Sequence, residues 1–201
     1  MLRNLSEAEV SKVIFDSFRT AINGLTIRET GTSRIEGTIK LRDTRPFRTQ
    51  PRGFLQAKKS VFNRIVGEGS ADGLELAFAA FLEGANDVQA FGKNYMAVGF
   101  KIDYVKASGE LSTYTPDFMV RTKDGSVWIV ETKGREELDL PQKMQRLRQW
   151  CQDATDASKE QGGPRYGFVY VDQESFEQHK PTTFSGLVSA FREYQEQEQG
   201  A

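Results

Sequence analysis

Two neighbouring runs, Phe118-Met119-Val120 and Val127-Trp128-Ile129-Val130, are apolar at every position rather than at alternate ones. Successive side chains of a strand point to opposite faces of a sheet. A strand that is apolar on both faces must therefore be covered on both sides, inside a sheet with helices above and below. Lys123-Asp124-Gly125 between the runs is a turn signal, so the two strands are expected to form a hairpin.

The rest of the chain supplies the cover. Val10, Val13, Ile14, Phe18, Ala21 and Ile22 recur at helical spacing, which predicts a helix over 5–22 that opens on a Ser6/Glu9 capping box and stops at Asn23-Gly24. The same periodicity predicts helices over about 71–83, 140–157 and 183–196. Strands are expected over 88–91, 97–105, 111–121, 126–133 and 165–171. The order helix, hairpins, helix, strand, helix reads as an α/β fold with a central mixed β-sheet flanked by helices. The expected division is an N-terminal helix and basic arm over 1–60, then the main domain over 61–201.

Charge is nearly balanced over the 201 residues, with a formal net of -1, so global charge identifies no partner. Its distribution is uneven: residues 34 to 64 hold nine Lys or Arg against Glu36 and Asp43, a local net of +7. Cys151 is the only cysteine and His179 the only histidine, which excludes an internal disulfide, a thiolate zinc cluster and most histidine-based chemistry. Catalysis, if present, falls to carboxylates and lysine. No run approaches the ~18 apolar residues of a membrane span. The first residues do not read as a signal peptide, so a cytoplasmic setting is expected.

Charged residues stand at the end of the apolar hairpin, in Pro116-Asp117 and Glu131-Thr132-Lys133. A three-residue turn sets Thr122 against Ser126 and, counting outward, Asp117 against Glu131; a two-residue turn shifts this by one position and still leaves them neighbours. Alternation sends Glu131 and Lys133 to one face and the Thr132 side chain to the other. Two carboxylates and an ammonium converging in a buried sheet are costly unless paired. Two oxygen ligands at this spacing suit Mg²⁺, with Mn²⁺ as substitute and the Thr132 backbone carbonyl as a further ligand. Lys133 can orient a water and offset phosphate charge. An isolated Glu-x-Lys in a strand is far more often a structural ion pair; Asp117, preceded by Pro116, at the facing position is what favours chemistry.

Pro116-Asp117 with Glu131-Thr132-Lys133 matches the signature of the PD-(D/E)xK nuclease superfamily. The stretch from Lys59-Ser60-Val61-Phe62-Asn63, through Gly73-Leu74-Glu75-Leu76-Ala77-Phe78 and Asp87 to Asn94, to Tyr114-Thr115-Pro116-Asp117-Phe118 and Trp150-Cys151 resembles the C-terminal nuclease region of type III restriction enzyme Res subunits. Restriction proteins that carry a helicase motor share that region, and the resemblance spans roughly residues 40 to 175. It implies a restriction-endonuclease-like fold over 61–201 and a Mg²⁺-dependent endonuclease acting on double-stranded DNA in restriction or phage defence. It also implies an acidic residue on the preceding helix, at Glu75, with Glu83 as the other candidate. Lys93-Asn94 matches a family pattern, read equally as phosphate contact or strand-end turn. The chain has no GxxxxGK[ST] loop, so an ATP-driven motor is expected in the same full-length protein or in a partner. A methyltransferase subunit and a second copy of the chain are further expected partners.

Arg48, Arg52, Lys58, Lys59, Lys93 and Lys143 are the candidate DNA contacts, with Phe47, Phe54 and Phe62 interleaved to stack on bases or anchor the arm. Lys143 or Gln142 could face the metal site. Cys151 and Trp150 read as core, His179 as surface, and Glu136, Glu137 and Asp139 as loop-solvating acids. Two other functions fit the same residues: a repair nuclease or junction resolvase, and a catalytically silent DNA-binding or assembly module.

Overall fold

The computed structural model describes residues 8–28, 37–49, 53–67, 72–106, 108–133 and 139–197. The centre is a four-stranded mixed sheet of order β3-β6-β7-β8, formed by β3 (Val88–Lys93), β6 (Phe118–Thr122), β7 (Val127–Lys133) and β8 (Tyr166–Asp172). β3, β6 and β7 run antiparallel in turn, and β8 joins β7 in parallel. A parallel neighbour needs a crossover, which α3 (Leu140–Lys159) provides. The expected turn holds: the Thr122 N–H donates to the Ser126 carbonyl at 3.0 Å, and Gly125 supplies a φ of +87°.

Both faces of the sheet are covered. On one, α2 (Asp72–Gly84) and α5 (Phe184–Gln197) bury Phe78, Leu82, Phe184, Leu187 and Phe191 against Phe118, Val120 and Val130. On the other, α3 and the hairpin of β4 (Ile102–Val105) and β5 (Leu111–Tyr114) bring Leu147, Cys151, Ile102 and Tyr114 together with Ile129. The alternation of β7 thus puts Trp128 and Val130 on the first side and Ile129 on the second.

Several expectations are corrected. The extended run expected over 111–121 is two strands of different sheets, because Thr115-Pro116-Asp117 interrupts it and proline has no N–H for the ladder. The strand expected over 97–105 shrinks to Ile102–Val105; the Val98 N–H closes a turn on the Tyr95 carbonyl at 2.8 Å, and Gly99 has a φ of +77°. Helix α1 (Ala8–Arg28) runs through Asn23-Gly24, where a stop was expected. A glycine inside a helix costs only about 1 kcal/mol, so the pair slows the helix without ending it. Ser6 of the expected capping box lies outside the described residues. A short helix that the periodicity missed, α4 (Gln173–His179), is capped by Asp172 accepting from the Ser175 N–H at 2.8 Å.

The boundary expected at 60/61 falls inside a packed unit. β1 (Gly53–Gln56) pairs with β2 (Arg64–Gly67), Ala57 joins the core, and Lys59 and Val61 hydrogen-bond the Phe91 backbone along the edge of β3. Among the described residues, no helix is long and apolar enough to cross a membrane.

Candidate active site

β7 carries Glu131 and Lys133 on the same side as Ile129, the side that faces α3 and the β4–β5 hairpin. Phe118 pairs with Val130, and the Asp117 N–H donates to the Val130 carbonyl at 3.0 Å, so Asp117 enters β6 beside Glu131. Asp117 is clamped by Thr132, whose amide and hydroxyl both donate to Asp117 Oδ2 at 2.7 Å. That role for the Thr132 side chain was not anticipated, since simple alternation sends it away from the carboxylates.

Glu131 is 2 % exposed. Its Oε1 meets Lys133 Nζ at 3.2 Å, and its Oε2 is buried without a hydrogen-bond partner. Burial, and then the neighbouring Asp117 charge, push its carboxyl up to about 8, while Lys133 and Lys143 pull the other way. Asp117 is also raised, chiefly by burial; the two Thr132 bonds and Lys133 oppose this, and Glu75 adds to it. The first turn of α2 therefore brings Glu75 within electrostatic reach of Asp117, and α3 brings Lys143 within electrostatic reach of Glu131.

Lys93, read from the sequence as a phosphate contact or a strand-end turn, is buried and ion-paired in the fold. It is 6 % exposed, and its Nζ is spent on Glu75 Oε2 at 2.6 Å and the Val66 carbonyl at 2.9 Å. Its neighbour Asn94 takes the strand-end role: its Nδ2 donates to the Pro116 carbonyl at 2.8 Å and the Phe100 carbonyl at 2.9 Å, and its N–H to the Asp117 carbonyl at 2.7 Å. Asn94 thus holds the break that aims Asp117. Glu83 sits in the last turn of α2, roughly 12 Å along the helix from Glu75 at 1.5 Å per residue. There it accepts from the Lys58 and Lys59 amides, both at 3.0 Å, and Lys59 Nζ donates to the Ala85 carbonyl. Lys58 and Lys59 are therefore anchored at the far end of α2 from Glu75. Arg48 is exposed, and Arg52 lies outside the described residues.

Lys143 is half-buried, with its Nζ 5.6 Å and 5.8 Å from the ring centroids of Tyr104 and Tyr114. Gln142 Oε1 is buried without a partner, as is Oδ2 of Asp172, which stands beside Lys133 in the β7–β8 register. Cys151 is core and its thiol is pushed up to about 12 by burial; Trp150 meets Phe100 and Tyr166 edge-on; His179 is exposed. Asp139 is half-buried, and Glu136 and Glu137 lie outside the described residues. A cavity of about 220 Å³ bordered by Trp128, Cys151, Tyr166 and Phe168 includes none of the candidate site residues.

The donor set is all oxygen, as a hard cation needs: the Asp117 and Glu131 carboxylates and the Thr132 carbonyl. Thr132 occupies one oxygen of Asp117 and Lys133 one of Glu131, which leaves Asp117 Oδ1 and the partnerless Glu131 Oε2 for a ligand. Among the described residues, no group of three or more His, Cys, Asp or Glu is arranged to hold a metal, so the set amounts to two carboxylates and a carbonyl. No protein-family model, curated protein or solved structure matches the chain.

Proposed function

We propose that the chain is a Mg²⁺-dependent DNA endonuclease domain of the PD-(D/E)xK class, on a restriction-endonuclease-like fold, serving as the cutting module of a type III-like restriction or phage-defence system. The observation that carries this reading is the buried Glu131, brought beside Asp117 and Lys133 at one end of a central sheet with one carboxylate oxygen left unpartnered. Keeping such charge in a core without use for it is expensive.

Asp117 and Glu131, with the Thr132 carbonyl, would hold the cation; once bound, it supplies a Lewis acid and makes an associated water easier to deprotonate. The chain's own groups do the rest. Thr132 fixes the Asp117 carboxylate through two hydrogen bonds. Lys133, a quarter exposed, reaches from Glu131 toward solvent, where its ammonium orients the attacking water and offsets charge on the phosphate. Glu75 adds negative potential beside Asp117 while Lys93 balances it. Cutting both strands of double-stranded DNA requires two such sites and hence a second copy. An ATP-driven motor and a methyltransferase would supply translocation and sequence reading.

A silent DNA-binding or assembly module is the second reading, favoured by the lack of a three-residue metal group among the described residues. Plasmid nicking separates the two. Purified protein is expected to nick with Mg²⁺ or Mn²⁺ and to stop in EDTA, and Glu131→Ala and Lys133→Ala are each expected to abolish nicking while circular dichroism shows a retained fold. Undiminished nicking by both variants sinks the assignment.

A further inference from the structure

Tyr114 ends β5, two positions before Pro116. It packs in the same cluster as Ile129, Leu147 and Cys151, on the side of the sheet that carries Glu131. The Tyr104 ring meets it edge-on at 6.1 Å, and Lys143 Nζ lies over its ring. The residue is 5 % exposed and its hydroxyl has no hydrogen-bond partner. A buried hydroxyl in that state is destabilising, and phenylalanine would fill the same space without the cost.

Glu131 Oε2 is the complementary case, a buried acceptor with no donor. After burial, the Glu131 charge is the largest influence on the Tyr114 hydroxyl, with Cys151 and Asp117 also contributing, and each disfavours its ionisation. The phenol therefore remains a neutral donor. A donor and an acceptor, each buried and each unsatisfied among the described residues, point to a ligand that satisfies both.

We propose that the Tyr114 hydroxyl is a second hydrogen-bond donor, beside Lys133, that orients the attacking water against the Glu131 carboxylate. This rests on the nuclease reading above. The phenol donates to the water oxygen and Glu131 restricts where it sits; the water loses its proton to solvent, the freed lone pair forms the bond to phosphorus, and the bond to the leaving oxygen breaks with its electron pair. Tyr114 carries no proton away, so its part is alignment rather than general base catalysis.

The test is Tyr114→Phe, with Tyr104→Phe as a control for disturbance of the aromatic cluster. Tyr114→Phe is expected to lower kcat for plasmid nicking about five- to tenfold, the loss of one hydrogen bond, with KM for DNA unchanged. Without metal it melts at or above the wild-type temperature, and its gain in melting temperature on adding Mg²⁺ is smaller than the wild type's. Tyr104→Phe is expected to leave kcat and that gain unchanged. If the wild type nicks or is stabilised by Mg²⁺ and Tyr114→Phe equals it in kcat and in that gain, this inference falls and the nuclease reading stands. If the wild type neither nicks nor gains stability with Mg²⁺ or Mn²⁺, both fall.

Discussion

Glu131 concentrates the tension in this protein. Its carboxyl is raised to about 8, well above an ordinary glutamate, with burial as the first cause. The folded chain therefore keeps a proton that the unfolded chain releases between about pH 4.5 and 8. Stability without metal is present at low pH and declines as pH rises through that window. Replacing Glu131 by glutamine removes the titration. Urea unfolding in EDTA should show Glu131→Gln more stable than wild type at pH 8.5 by on the order of 2 kcal/mol, with little difference at pH 5. Equal pH dependence in both proteins would mean that Glu131 is not held in a desolvated site.

At the scale of elements, the break at Thr115-Pro116-Asp117 decides how the site is built. It ends β5, starts β6, and lets Asp117 turn to Thr132. Asn94 secures it through two side-chain donors and its backbone N–H. Asn94→Ala should cost about 1–3 kcal/mol in thermal or urea unfolding, because buried carbonyls of Pro116 and Phe100 lose their donor; a change below a few tenths would show that the break holds itself. Much of this region was legible in the sequence. Residues apolar on both faces demanded a covered sheet, and the turn at Lys123-Asp124-Gly125 fixed the register that brings Asp117 to Glu131. What was not legible depends on contacts distant in sequence. The split at Pro116 relies on Asn94, 22 residues away, and the two carboxylate bonds from Thr132 need a departure from simple alternation. Helix α4 was missed because seven residues are too few for a periodic pattern, although Asp172 and Ser175 carry its cap. Tyr114 read as one strand residue among many; only its burial and unsatisfied hydroxyl set it apart.

Across the whole molecule, the site sits where the two coverings of one sheet meet, with Glu75 arriving on α2 from one side and Lys143 on α3 from the other. The basic segment before β1 packs Leu41 on the second core cluster and Phe47 on Phe62 and Tyr95, while Arg42, Arg45 and Arg48 are exposed; Lys59, after β1, is tied to the end of α2. If those arginines track a DNA backbone, affinity measured by anisotropy should fall steeply between about 50 and 200 mM salt, and reversing Arg45 and Arg48 to Glu should flatten that slope. A flat response in the unaltered protein would remove the segment from the DNA surface. Whether Asp117 and Glu131 share a divalent cation is read most directly by calorimetric titration with Mn²⁺, which requires neither a motor nor a cleavage site. Saturable uptake is expected, strengthening from pH 6 to pH 8.5 as Glu131 gives up its proton and disappearing in Asp117→Asn and Glu131→Gln. Uptake unchanged in both variants, or no uptake by the wild-type protein at any pH, would contradict the shared cation.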